Sequence, residues 1–163
     1  MARQVWLLRH AEAEPHGTRT DAQRKLTERG EQQAAAAGTA LEKLAGGFEL
    51  ALTSPKVRAA ETARIALASL GGAPAQEFAP LADALDGRGV IEQARALGAD
   101  GRLLLVGHEP QLSTLVAELT GAHADLKKGG IAVVRLDGGG GELAVLLRPR
   151  EIFAIAGLQV DGN

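Results

Sequence analysis

Arg102-Leu103-Leu104-Leu105-Val106, running into Gly107-His108-Glu109-Pro110, is the stretch on which the fold turns. Its unbroken apolar run reads as a buried strand, because it offers no alternating polar side to water. Pro110 then opens a helix, with Leu112, Leu115, Val116 and Leu119 at helical spacing and Gly121 as its stop. Upstream, Gln4 to Arg9 reads as another buried strand, followed by an Ala-rich helix from Glu31 to Ala45. That helix lines up Ala34, Ala37, Leu41 and Leu44 on one face and stops at Gly46-Gly47. Leu50 to Thr53 is a further strand. Ser54 and Pro55 read as the N-cap and first residue of a helix carrying Val57, Ile65 and Leu70, which ends at Gly71-Gly72.

Ala73 to Gly89 is the least regular part and reads as a long excursion. A short helix with Val90, Ile91, Ala94 and Leu97 follows it. Ile131 to Leu136 and Glu142 to Leu147 flank Asp137-Gly138-Gly139-Gly140-Gly141 and read as a terminal hairpin. Strands alternating with helices imply an α/β layered sandwich, with a mostly parallel central sheet, helices on both faces and a C-terminal β-hairpin. No internal repeat or linker interrupts the chain, so residues 1–163 are expected to form a single domain.

Composition narrows the function. Eighteen Lys and Arg against twenty Asp and Glu leave a formal charge of −2, which argues against a general nucleic-acid binder but allows one small cationic pocket. Cysteine is absent, which excludes disulfides, thiolate metal sites and cysteine nucleophiles. Val5 to Leu8 is too short for a signal segment or a membrane span, and a cytoplasmic location is the expectation. Aromatic residues make up only 2% of the chain, so stacking platforms for bases or sugars are not expected.

In open α/β sheets, ligands bind beyond the carboxyl ends of the strands. Three segments place unusual polar residues there: Leu7-Leu8 runs into Arg9-His10, Leu52 to Pro55 leads to Arg58, and Val106-Gly107 runs into His108. If these strands are parallel, two arginines and two histidines converge on one edge. Each has an ordinary reading as a surface pair, a salt bridge or a turn residue, but three coincidences at one edge outweigh those readings. Arg58 also sits in the first helical turn, against the macrodipole, as though an anion were expected there. Two guanidinium forks and a helix N-terminus suit a tetrahedral dianion. Imidazole is the natural nucleophile for phosphorus among the residue types present, with a pKa near ~6.5. The chain has no Gly-rich phosphate loop and no clear Asp pair for magnesium, so the pattern points to metal-free phosphoryl transfer without a cofactor.

Three motifs then carry a resemblance. Leu7-Leu8-Arg9-His10-Ala11-Glu12, Thr53-Ser54-Pro55-Lys56-Val57-Arg58-Ala59-Ala60-Glu61-Thr62 and Val106-Gly107-His108-Glu109-Pro110 resemble, in order, the motifs of the histidine phosphatase superfamily, phosphoglycerate-mutase-like branch. Ala11 stands where glycine is most familiar. Compact length, the segment Asp21 to Gly30 and Lys127-Lys128-Gly129-Gly130 make the chain most similar to the SixA-type phosphohistidine phosphatases. The resemblance implies a phosphoglycerate-mutase-like fold and His10 as the nucleophile that becomes phosphorylated. It also implies Arg9, Arg58 and His108 as ligands of the phosphoryl group.

Two departures are visible. His16 stands where larger members carry an Asn, and reads more readily as an exposed loop residue than as a phosphate ligand. The acidic proton donor that such members carry between the second Arg and the second His has no match, although Asp83, Asp86 and Glu92 lie in that interval. The same residues admit a metal reading, with His10, Glu12, Glu14, His16 and His108 as ligands, which the two neighbouring guanidiniums oppose. Asp21, Arg24, Lys127 and Lys128 read as solvated faces. The expected activity is removal of phosphate from phosphohistidine in a protein partner, such as a histidine phosphotransfer or signalling domain. The alternatives are a general or small-molecule phosphomonoesterase and a non-catalytic module that binds phosphorylated ligands.

Overall fold

The computed structural model describes residues 2–159. The chain runs β1 (Arg3–Arg9), α1 (Glu28–Ala45), β2 (Leu50–Thr53), α2 (Val57–Ala68), β3 (Gln76–Glu77), α3 (Gly87–Arg95), β4 (Arg102–Gly107), α4 (Gln111–Thr120), β5 (Ile131–Asp137), β6 (Gly140–Leu147) and α5 (Pro149–Ile155). The strands form one sheet in the order β3-β2-β4-β1-β5-β6. β3, β2, β4 and β1 pair in parallel, and β5 and β6 continue the sheet antiparallel.

The leucine run of β4 is central, between β2 and β1. Alternate side chains of a strand point to opposite faces. Val5, Leu7, Leu103 and Leu105 accordingly pack with Val90 of α3 and Leu112, Leu115 and Val116 of α4. Trp6, Leu8, Leu104 and Val106 pack on the other face against alanines of α1 and α2 and against Ile152 of α5. This is the expected layered α/β sandwich with helices on both faces.

Five local expectations need correction. The hairpin is not the last element, because α5 follows it and buries Ile152. The excursion from Ala73 to Gly89 contains the short parallel strand β3 and a 3-10 turn, Ala79–Ala82, which closes over the sheet with Leu81 buried. α1 begins at Glu28 rather than Glu31, because the Thr27 hydroxyl caps it by accepting the Gly30 N–H at 3.1 Å. α2 begins at Val57, so Ser54 and Pro55 precede it and Ser54 is not its N-cap residue. Within α1 the buried face is Ala34, Ala36, Ala37, Ala40 and Leu41, while Leu44 is exposed. The last buried position falls on Ala45, four residues after Leu41, as a 3.6-residue period favours.

Small residues let elements approach where the site is built. A Cβ on Gly38 of α1 would meet the Ala66 carbonyl oxygen of α2 at 2.5 Å, so the two helices touch through backbone. Gly30, in the first turn of α1, lies directly under the Glu12 carbonyl, and a Cβ there would collide with it. The loop after β1 is therefore seated on the start of α1. Gly30→Ala is expected to cost about 1–3 kcal/mol through overpacking. Thermal unfolding of the variant should show a lower Tm, and an unchanged Tm would mean that this loop is not held against α1.

Candidate active site

The parallel register of β1 and β4 aligns Arg9 with Gly107, so the next residues, His10 and His108, emerge side by side at the carboxyl edge. The His10 N–H donates to the Gly107 carbonyl at 2.9 Å and continues the ladder by one step. The two imidazole rings lie with centroids 5.1 Å apart. Arg58, in the first turn of α2, and Arg9 both act on the charge of His10, and Arg58 acts on that of His108. The four residues singled out in the sequence are thus brought together, with His10 and Arg58 buried.

Hydrogen bonds assign the face that each group shows. His10 Nδ1 lies 2.8 Å from the Ala11 carbonyl, which can only accept, so the ring proton sits on Nδ1 and Nε2 keeps its lone pair. Ser54 Oγ accepts the Lys56 N–H at 3.2 Å and lies 2.8 Å from His108 Nε2. Its own proton can be donated to that nitrogen, and in that tautomer His108 Nδ1, buried and unpartnered, is a donor. Arg9 is tethered through Nη1 to the Leu126 carbonyl at 2.9 Å, and its buried Nε is unpartnered. Arg58 donates through Nη1 to the Asp21 carbonyl at 2.7 Å and through Nη2 to Asp21 Oδ2 at 3.3 Å, again leaving a buried, unpartnered Nε. Buried polar groups in native proteins usually have a partner. Three such donors beside a free imidazole lone pair describe a cradle suited to an oxyanion.

Burial pushes the pKa of His10 down to about 3, against the Ala11 hydrogen bond, with His108, Arg58 and Arg9 pushing the same way as burial. His108 is pushed down to about 4, by burial first and then by Arg58 and Lys56. Both rings are therefore neutral at physiological pH, and His10 Nε2 can act as a nucleophile without first losing a proton.

Neighbouring elements hold the end of β1 and the loop after it in place. The Gly129 N–H donates to the carbonyls of Arg9 at 3.2 Å and His10 at 3.1 Å, at a positive φ of 77° that suits glycine. The Ala11 N–H donates to Thr62 Oγ1 at 3.0 Å, and that hydroxyl donates to the Arg58 carbonyl at 2.7 Å, tying the loop after His10 to α2. The Glu12 N–H donates to Gln33 Oε1 at 2.9 Å.

Other sequence candidates fall elsewhere. His16 is exposed, with Nδ1 3.9 Å from Asp21 Oδ1 at the rim of the site. Glu12 accepts from Thr27 Oγ1 at 3.0 Å, and Glu14 pairs with Arg19 at 2.8 Å, so the would-be metal set is dispersed. No group of three or more His, Asp or Glu able to hold a metal occurs among the described residues. Asp86 caps α3 by accepting the Gly89 N–H at 2.9 Å, Glu92 lines a groove between α3 and α4, and Asp83 is exposed.

Sequence reasoning missed Ser54 as a partner of His108 and the ion pairs of Asp21, and misread Arg24. Arg24 is buried, and Asp21 pairs with Arg24, Lys56 and Arg58. The visible signal was four charged residues of both signs at 21, 24, 56 and 58, but their separation in the chain hid the pairing.

Residues 5–85 match the family described as the histidine phosphatase superfamily (branch 1). An uncharacterized protein of Picosynechococcus sp. is 38% identical over 122 residues, covering 71% of this chain and 73% of that protein. The chain belongs to the histidine phosphatase superfamily and is a phosphatase by that membership. Within it the chain is SixA-like: it is similar to the protein histidine phosphatase SixA in its tungstate complex, at 26% identity and a TM-score of 0.81, over 91% of this chain and 99% of that one. Phosphoserine phosphatase from Entamoeba histolytica shares the fold at 15% identity and a TM-score of 0.72, over 91% and 98% of the two chains. No described helix is long and apolar enough to cross a membrane.

The depressed histidines have a consequence for pH. A ring that titrates at 6.5 when unfolded and near 3 or 4 when folded takes up its proton preferentially in the unfolded state. Their contribution to stability is present above pH 6.5 and is lost as the pH falls through that interval. Side-chain NMR should find both rings neutral at pH 5.5, and denaturant unfolding should show stability dropping from pH 7 to pH 4. A His10 ring that titrates near ~6.5 in the folded protein would contradict the buried, cation-flanked geometry.

Proposed function

We propose that this protein is a metal-independent phosphohistidine phosphatase that forms a phosphorylated His10 intermediate and acts on a phosphorylated protein, such as a histidine phosphotransfer or signalling domain. The observation that carries the reading is the His10 ring itself: neutral, with Nδ1 committed to Ala11 and Nε2 free, amid Arg9, Arg58 and His108. Likeness to SixA supports the substrate class.

In the first step His10 Nε2 forms a bond to phosphorus while the substrate's P–N bond breaks. The departing imidazole takes the electron pair and leaves neutral, because its distal nitrogen already carries a proton. Positive charge moves to the His10 ring, and Arg9, Arg58 and the His108 Nδ1–H bind the equatorial oxygens as charge shifts onto them. Water then attacks phosphorus, His10 departs neutral, and phosphate and one proton are released.

The local carboxylate fits this substrate class. Asp21, the carboxylate acting on His108, is held well below the usual carboxylate range, first by its hydrogen bond from Lys56 against the cost of burial, then by Arg24 and Arg58. It is ionised at neutral pH and has no proton to give. A serine alkoxide needs a positioned acid, typically worth ~10²–10⁴-fold, whereas a phosphohistidine imidazole does not.

His10→Ala should fold normally, release no phosphate and take no covalent label, and Arg58→Ala should lose at least ~10²-fold in rate. Vanadate should inhibit and a chelator should leave the rate unchanged. Values of kcat/KM should be high for phosphohistidine and aryl phosphates and low for phosphoserine and sugar phosphates. If an alkyl phosphate matches phosphohistidine and replacing Asp83, Asp86 or Glu92 by its amide abolishes that activity, the protein is a general phosphomonoesterase with its own acid.

A further inference from the structure

A carboxylate beside a phosphate cradle repels the ligand the cradle is built for, so the placement of Asp21 requires a reason. Its Oδ1 accepts from Arg24 Nε at 3.2 Å and Nη2 at 3.0 Å, and its Oδ2 accepts from Lys56 Nζ at 3.0 Å and Arg58 Nη2 at 3.3 Å. Arg24 is itself buried and anchored to the Glu14 carbonyl at 2.8 Å, so the carboxylate is held from behind. The loop that carries it is closed by the Ala13–Leu26 bridge and the Glu14 N–H bond to the Lys25 carbonyl at 2.8 Å.

A guanidinium offers an end edge, formed by Nη1 and Nη2, and a side edge, formed by Nε and Nη2, each able to bind two oxygens. Asp21 takes the end edge of Arg58, using its backbone carbonyl for Nη1 and its carboxylate for Nη2. The side edge, with its buried and unpartnered Nε, remains. Arg9 is treated alike: the Leu126 carbonyl takes Nη1 and leaves Nε without a partner. Both arginines are gripped from the far end of the fork.

We infer that Asp21 is a positioning residue, which grips the far edge of Arg58 so that the Nε edge is presented to the phosphoryl group; the inference rests on the phosphatase reading above. Asp21 touches no reacting atom. It exchanges some electrostatic attraction for phosphate in the resting enzyme for a fixed guanidinium at the transition state, where geometry counts most.

The test compares wild type, Asp21→Ala and Asp21→Asn with an aryl phosphate, together with binding of vanadate, as the transition-state mimic, and inorganic phosphate, as the ground-state anion. Asp21→Ala should lose about 10–100-fold in kcat, the size of effect that misplacing a catalytic group produces. Vanadate affinity should fall with kcat/KM, while phosphate affinity holds or improves because a negative charge has gone. Asp21→Asn, whose amide oxygen can still accept from Nη2, should recover a large part of the loss. A kcat for Asp21→Ala within about twofold of an active wild type overturns the inference. So does a parallel loss of phosphate and vanadate binding that the Asn variant does not relieve, since that marks a loop anchor alone. A wild-type protein that neither turns over nor binds vanadate overturns the phosphatase reading itself.

Discussion

Parallel pairing of β1 with β4 is the constraint on which the rest of the site depends. The register Arg9↔Gly107 sends two strands out of the sheet at the same level, and the two histidines are their next residues. Side chains alternate along a strand, so slipping this pair by one residue would turn every partner to the wrong face. That slip is prevented by burial. β4 is apolar on both sides, and each side already faces a filled core with Leu103 and Leu105 on one and Leu104 and Val106 on the other. The packing that makes the sheet stable therefore also sets the distance between His10 and His108.

Electrostatics complete what the sheet begins. Burial and nearby guanidiniums keep both imidazoles neutral, which suits a nucleophile and a neutral hydrogen-bond donor. The same cations would cost stability if nothing balanced them, and Asp21 provides the balance at the side of Arg58 away from its free Nε. A site that gathers Arg9, Arg58, Lys56 and two histidines thus carries an internal counter-charge, which is ionised and so unable to protonate a leaving group. These two properties, neutral rings and a spent carboxylate, underlie the substrate class proposed above.

The four central residues were legible because each stands directly after an apolar run or within the first turn after one. Arg9 ends β1, His10 and His108 directly follow strands, and Arg58 follows Leu50 to Thr53 by five residues. Local patterns of this kind survive folding, since strand ends and helix starts are read from a few neighbouring residues. The Gly46 and Gly121 stops were legible for the same reason, and both adopt the left-handed conformation that glycine allows. Ser54 was misread because a serine before a proline has the pattern of a helix cap, and only the approach of His108 from β4 gives its hydroxyl a different partner.

Sequence alone determined the alternation of strands and helices, the layered fold it implies, the residues at the carboxyl edge and the absence of any cysteine chemistry. The tertiary structure decided the tautomer of His10, the withdrawal of Arg24 from solvent and the gathering of Asp21 with Lys56 and Arg58. It also decided that His16 stands exposed at the rim, that Asp86 caps α3 and that Glu92 lines a groove between α3 and α4. The division has a physical cause. Periodicity and turn chemistry are local properties of the chain, but the state of a side chain depends on the burial and charge supplied by neighbours distant in sequence, and those neighbours meet only when the sheet has closed its register.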